Sequence, residues 1–185
     1  MKKHRVFIAI NLPAGIKKRL FEFSEKHSDL PVRWIAEDNL HITLLFVGYA
    51  TDEETVKICQ IVKNAVSKHS PFEINLTKID YDSERKSPRM IWAFGEENQR
   101  FAGLENGIKN ALAENGIGFD DRYRDSLIHI TLGRIIQSEW RGLPSKPEIS
   151  EKIDLKFEAE SVEVMESRIS RKGPEYVILE SAKLK

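Results

Sequence analysis

Residues 39–48, Asn-Leu-His-Ile-Thr-Leu-Leu-Phe-Val-Gly, decide how this chain is read. Their centre, His41-Ile42-Thr43-Leu44, returns as His129-Ile130-Thr131-Leu132. Five histidines make ten pairs to compare. At ordinary residue usage, one pair sharing its next three residues arises by chance with a probability of roughly 0.002. The repeat therefore has a cause, either duplication or shared chemistry.

Both copies read as β-strand, and strand geometry says what each presents. Alternate side chains face the same way, so His41 and Thr43 share one face while Ile42 and Leu44 share the other. The same division separates His129 and Thr131 from Ile130 and Leu132. Each copy anchors in a core through two aliphatics and shows an imidazole beside a hydroxyl. Two such strands brought together line a groove with two His and two Thr. An imidazole near its reference pKa of ~6.5 serves as acid or base at neutral pH. Displacement at a phosphodiester needs both roles, one to take a proton from water and one to protonate the leaving oxygen. The Thr hydroxyls can donate to non-bridging phosphate oxygens, where charge grows in the transition state.

Outward from the motifs, Arg5 to Asn11 reads as a buried strand, and Pro13 opens a helix through Ile16, Leu20 and Phe23. Val32 to Ile35 is a short extended piece, and Asn39 to Val47 is a strand closed by Gly48. Thr51 with Glu54 forms a capping-box signature, followed by a helix through Val56, Ile58, Ile61, Val62 and Val66 that stops before Ser70-Pro71. Phe72 to Ile79 and Arg89 to Phe94 are expected strands, with Asp80 to Pro88 as the polar connection. A long helix spans about Asn98 to Asn115, with Gly116 as its stop. Leu127 to Ile136 is a strand, Gln137 to Ser150 a loop, and Ile153 to Met165 and Glu175 to Leu184 the closing strands. Seven or eight strands with two or three helices in mixed order predict an α+β fold with largely antiparallel sheets.

The chain has 185 residues, enough for one compact domain or two small lobes. No apolar run approaches the roughly 20 residues of a membrane helix, and Val6 to Ile10 is too short for a signal-peptide core. A cytoplasmic protein without a membrane partner is the expectation. The single cysteine, Cys59, rules out an internal disulfide framework and sits in a helical apolar pattern. Basic and acidic residues balance at 29 each. A protein gripping long nucleic acid carries a basic excess, so a nucleic-acid substrate here would be a terminus or fragment.

With these residues in hand, the chain resembles the two-histidine (2H) phosphoesterase superfamily, in its RNA 2',3'-cyclic phosphodiesterase branch, historically called 2'-5' RNA ligases. The resemblance covers nearly the whole chain. It includes Arg5-Val6-Phe7-Ile8-Ala9-Ile10-Asn11-Leu12-Pro13, Arg33-Trp34-Ile35, the run from Asn39 to Leu44 with Phe46 and Gly48, Pro88-Arg89-Met90-Ile91-Trp92, and Gly173-Pro174-Glu175-Tyr176. It implies a single domain over residues 1–185 with two pseudo-symmetric lobes of mainly antiparallel sheet and outer helices, facing each other across a central groove. It implies His41 as proton donor and His129 as proton acceptor, with no cofactor. The implied substrates are RNA ends or small nucleotides bearing a 2',3'-cyclic phosphate, opened to a 2'-phosphate. A monomer is expected.

Three positions depart from the family pattern. Leu45 stands where the family often has Lys, and alternation puts it on the face of His41 and Thr43. Ile128 precedes His129 where proline is usual. Gly133-Arg134 replaces the commoner Ala-Arg. Strict alternation turns Arg134 away from the groove with Leu132; a bulge at Gly133 would instead make it a substrate-binding residue.

Other readings remain on the same residues. Ligation of 2',5' linkages is the reverse of the same chemistry. A metal-dependent hydrolase needs about three protein ligands and an open position, and neither motif has a His-x-His or acidic cluster beside it, so no metal is expected. A non-catalytic RNA-end-binding module would leave the repeated His-x-Thr unexplained. Among the remaining histidines, His4 is terminal, and His27 and His69 lie near helix C-termini. Trp34 and Trp92 read first as core and second as base-stacking residues.

Overall fold

The computed structural model describes residues 3–82, 88–120, 127–170 and 173–185. Nine strands run through these residues: β1 (Lys3–Asn11), β2 (Val32–Trp34), β3 (His41–Thr51), β4 (Phe72–Tyr81), β5 (Met90–Gly95), β6 (His129–Ile135), β7 (Ser150–Ala159), β8 (Ser161–Ser170) and β9 (Gly173–Lys183). Four helices accompany them: α1 (Ala14–Lys26), α2 (Asp52–Val66), α3 (Gln99–Glu114) and α4 (Gln137–Gly142), with a 3-10 turn at Glu37–Asn39. Of the expected Asp80–Pro88 connection, residues 83–87 lie outside the described residues.

The strands form an antiparallel array in the order β7-β4-β5-β6-β3-β1-β8-β9, with β2 pairing β6 off this path. It divides into two four-stranded halves, β7-β4-β5-β6 and β3-β1-β8-β9. The halves meet at the pair Ile42↔Ile130, the centres of the two repeated motifs. A junction this narrow lets the halves turn as two lobes, with the expected α+β architecture and the helices outside.

Local sequence explains the helices. Thr51 Oγ1 accepts from the Glu54 backbone N–H while the Glu54 carboxylate accepts from the Thr51 N–H, so α2 starts where the capping box says. Asn98 caps α3 by accepting from the N–H groups of Arg100 and Phe101. The apolar stripe Phe101, Leu104, Ile108 and Leu112 is fully buried. Each such side chain contributes roughly 1.5–3 kcal/mol through burial. α2 packs against α3 and over β1, β3, β8 and β9, while α1 leans on β6. One apolar core of Ile8, Ile10, Ile42, Ile58, Leu76, Ile91, Ile130, Leu132 and Val164, among others, fills the helical side of both halves. A small second cluster, Phe7, Ala9 and Met165 with Tyr176 packed on it, lies on the opposite face.

Three expectations need correction. Gly48 does not close a strand: β3 continues to Thr51, and Gly48 sits in it at φ 96° where the pairing jumps from Val6↔Gly48 to Phe7↔Phe46. The residue skipped, Val47, makes a bulge, and glycine takes the positive φ. The expected strand Ile153–Met165 is two strands in different halves, β7 on β4 and β8 on β1. The residues that enter the main core are odd in β7 (Phe157, Ala159) and even in β8 (Val162, Val164), a phase change across exposed Glu160. The expected loop Gln137–Ser150 holds α4, which a single buried side chain, Trp140, anchors without a side-chain cap. Its brevity, its last residue Gly142 and the prolines that follow masked the helical signal.

Candidate active site

β3 and β6 carry the two motifs past each other in opposite directions. Extending the Ile42↔Ile130 register by one residue each way sets His41 toward Thr131 and Thr43 toward His129. Ile42, Leu44, Ile130 and Leu132 are buried in the main core. The four polar side chains therefore project from the other face. On an ideal ladder, diagonal positions such as His41 and His129 lie roughly 7–8 Å apart, within reach of one phosphate between two imidazoles.

Each histidine is aimed by a local bond. His41 Nδ1–H donates to the Asn39 carbonyl at 2.7 Å, and His129 Nδ1–H donates to the Leu127 carbonyl at 3.0 Å. In both, the acceptor lies two residues earlier in the chain. A donating Nδ1 fixes the tautomer and leaves Nε2 for proton transfer. Thr43 Oγ1 lies 3.0 Å from His41 Nε2, at the same end of the ring.

Immediately after each motif the strand bulges in the same way. Pairing steps from Ala9↔Thr43 to Ile8↔Leu45 in one half and from Trp92↔Thr131 to Ile91↔Gly133 in the other, so Leu44 and Leu132 are skipped. Each bulge reverses the alternation that follows. Leu45 thus turns into the main core at 4% exposure rather than joining His41 and Thr43, which corrects the expectation from strict alternation. Phe46, 38% exposed, takes the groove face instead. In β6, Ile135 enters the core and exposed Arg134 joins the side of His129 and Thr131. Gly133 permits this crossing: a Cβ there would lie 2.4 Å from Val32 Cγ1 and 2.8 Å from Trp34 Cε3 on β2.

Aromatic rings surround the two imidazoles differently. Trp92 stacks on His129 with centroids 4.0 Å apart and planes 27° apart. His41 meets Phe7 tilted at 5.1 Å and Tyr176 edge-on at 5.2 Å. Burial holds the His41 imidazole below the usual histidine range; Lys17 and His129 push the same way, and the Asn39 carbonyl opposes them. Burial also lowers His129, against the Leu127 carbonyl. Among the described residues, no group of three or more His, Cys, Asp or Glu side chains is placed to hold a metal ion.

Residues 10–92, which include the first motif, match the family model described as LigT like Phosphoesterase. Over 181 residues the chain is 27% identical to the RNA 2',3'-cyclic phosphodiesterase of Thermotoga maritima, covering 95% of this chain and 92% of that one. Over nearly its whole length the chain is similar to the LigT-like 2H phosphoesterases. A relative of the same description from Geobacillus stearothermophilus is 30% identical over 151 residues, 80% of this chain and 46% of that protein. The fold agrees with solved structures of TT0787 from Thermus thermophilus (TM-score 0.81, 24% identity, 97% of each chain) and of E. coli LigT complexed with 3'-AMP (TM-score 0.80, 22% identity, 100% and 99%).

For this LigT-like chain, the sequence located His41, Thr43, His129 and Thr131 on one face, and the fold brings them to a shared junction. Arg134 reaches that face through its bulge. Sequence reasoning passed over Lys17, Phe7, Phe46 and Tyr176 and ranked Trp92 first as core. The missing signals for the aromatics were the pairing of β1 with β3 and of β5 with β6, and the approach of Tyr176 from β9, which pairs β8. Of the other histidines, His4 bridges Asp52 and Glu166 at 2.6 Å each, and His27 Nδ1–H donates to the Phe23 carbonyl at the end of α1. No described helix is long and apolar enough to cross a membrane.

Proposed function

We propose that this chain hydrolyses 2',3'-cyclic phosphate ends of RNA, or of small nucleotides, to 2'-phosphates, with His41 as proton donor and His129 as proton acceptor. The carrying observation is the matched aim of the two imidazoles: each Nδ1–H is held by the carbonyl two residues back, which leaves Nε2 as the proton-transfer atom, at His41 beside the Thr43 hydroxyl. The relatives described as RNA 2',3'-cyclic phosphodiesterases support the choice of substrate.

In the step proposed, water attacks phosphorus in line with the P–O3' bond. His129 Nε2 takes the water proton, and His41 Nε2–H protonates O3' as that bond breaks. Neutral His41 and protonated His129 then exchange protons with solvent to restore the starting state. The Thr43 and Thr131 hydroxyls donate to the non-bridging oxygens, and Arg134 faces the nucleotide's remaining anionic charge. The surroundings favour this direction. A cation beside His41 eases loss of its proton, while the Trp92 face stabilises His129 once it becomes imidazolium. Both motifs come from one chain, so a single two-lobed domain acting as a monomer suffices. Two imidazoles complete the proton transfers, so activity is expected to survive EDTA.

Chromatography of the product from a 2',3'-cyclic nucleotide and from a short oligomer with a cyclic end tests the reading. A 2'-phosphate supports it. A predominant 3'-phosphate reverses the seating of the ribose and the two histidine roles, and binding without hydrolysis of either substrate overturns the activity.

A further inference from the structure

The carbonyl that aims His41 belongs to Asn39, the last residue of the 3-10 turn Glu37–Asn39. That turn is held from two directions. Asn39 Nδ2–H donates to the Pro174 carbonyl at the start of β9 at 2.8 Å. From the other side, Lys17 Nζ–H donates to the Asp38 carbonyl at 2.8 Å. Lys17 is half-buried on the first turns of α1, beside Ile16, which packs on the core. Its ammonium therefore sits at a defined place, one peptide unit from the bond that orients the imidazole. Chain connectivity explains the proximity: Asn11 pairs with His41, and α1 begins three residues later.

We propose that Lys17 is a positioning residue for His41: it anchors the turn whose carbonyl aims the imidazole and sets a fixed positive charge beside it. The proposal rests on the reading of His41 as proton donor. A like charge nearby disfavours the protonated imidazole and makes it a stronger acid. Among the described residues, the groups facing His41 are Lys17 from α1, His129 from β6 and the Tyr176 phenol from β9. Glu37 and Asp38 face Lys17 and support its charge against burial. Burial and the Leu127 carbonyl govern His129, so the two imidazoles differ in this charge. Leu45 lies in the core, so the cation on the first-motif side comes from a helix rather than from the motif strand.

The test compares Lys17→Gln and Lys17→Arg in the full chain. NMR titration of the His41 ring without substrate is the first measurement. The Gln variant is expected to titrate at higher pH than the parent, the Arg variant to stay with the parent, and His129 to stay unmoved. The second is kcat/KM for a 2',3'-cyclic nucleotide across pH. The Gln variant is expected to lose roughly tenfold, equivalent to about 1.4 kcal/mol of barrier, with one limb of the profile moved upward, and the Arg variant to recover most of the loss. An unmoved His41 titration in the Gln variant overturns the proposal. So does an Arg variant that titrates like the Gln variant, or a moved titration with an unchanged rate profile. Should the Gln variant fail to fold by circular dichroism, Lys17→Met carries the same comparison. A parent chain without hydrolysis refutes the functional reading, while the titration still decides the role of Lys17.

Discussion

β3 and β6 share a tetrapeptide, an Nδ1–carbonyl bond two residues back and a bulge immediately after the motif. Each also takes an edge partner from the segment preceding the other motif. β2 pairs β6 at Arg33↔Arg134, and Asp120 bridges β3 at Phe46. The backbones are therefore near-copies, and the side chains are not. After the bulge one half places Leu45 in the core and Phe46 in the groove; the other has Gly133 under β2 and Arg134 in the groove. His41 lies among aromatic edges beside a lysine, and His129 lies on an indole face. The symmetric frame sets two imidazoles across one junction, and the asymmetric lining suits the different roles proposed for them.

The strongest way to break that comparison is to remove one imidazole at a time. His41→Ala and His129→Ala are each expected to lose about 10²–10⁴-fold in kcat while remaining folded. Full activity in either variant would end the paired mechanism. Both imidazoles are held below the ordinary value of 6.5, so both limbs of the free-enzyme profile move to lower pH. The bell in kcat/KM should centre on the acid side of 6.5, with limbs belonging to the coupled pair rather than to either residue.

The hydroxyls test whether the halves share the phosphate equally. Thr43→Val and Thr131→Val should each cost roughly 10–100-fold in kcat, less than a histidine because other donors partly replace one hydroxyl. A loss confined to one of them would assign the non-bridging oxygens to a single strand.

The bulges differ in what they tolerate. Gly133→Ala forces a methyl against Val32 and Trp34 and should destabilise the fold by about 1–3 kcal/mol, read from denaturant midpoints. An unchanged midpoint would mean that β2 does not hold β6 as described.

The smallest expected effects separate Phe46 from Arg134. Arg134→Ala should raise KM roughly 3–10-fold and flatten the salt dependence of binding by about one effective contact. Phe46→Ala should raise KM by a similar or smaller factor and leave the salt dependence unchanged. Equal salt slopes in the two variants would remove the assignment of phosphate contact to Arg134.

Much of this was legible in the chain because it depends on near neighbours. The Thr51–Glu54 capping box predicted the start of α2 to the residue, since both bonds span three positions. The aim of His41 and His129 is similarly short-range, as alternation sets the face and a carbonyl two residues away sets the ring. Leu45 and Arg134 show where alternation runs out. One skipped residue in the ladder reverses every later position, and whether a residue is skipped depends on the partner strand. The break between β7 and β8 left a trace in the phase of the main-core residues, but the two strands' separate destinations did not.

From its sequence alone, then, the chain determines two His-x-Thr strands, helices with readable caps and an α+β order of elements. These follow from periodicity and from hydrogen bonds that close within a few residues. Only the tertiary structure decides that Ile42 pairs with Ile130, that Trp92 lies on His129, and that Lys17 reaches the turn before His41. Those contacts join residues 21 to 88 positions apart. Their partners are chosen by how the sheet closes and where α1 docks, a property of the assembled core that no local pattern encodes.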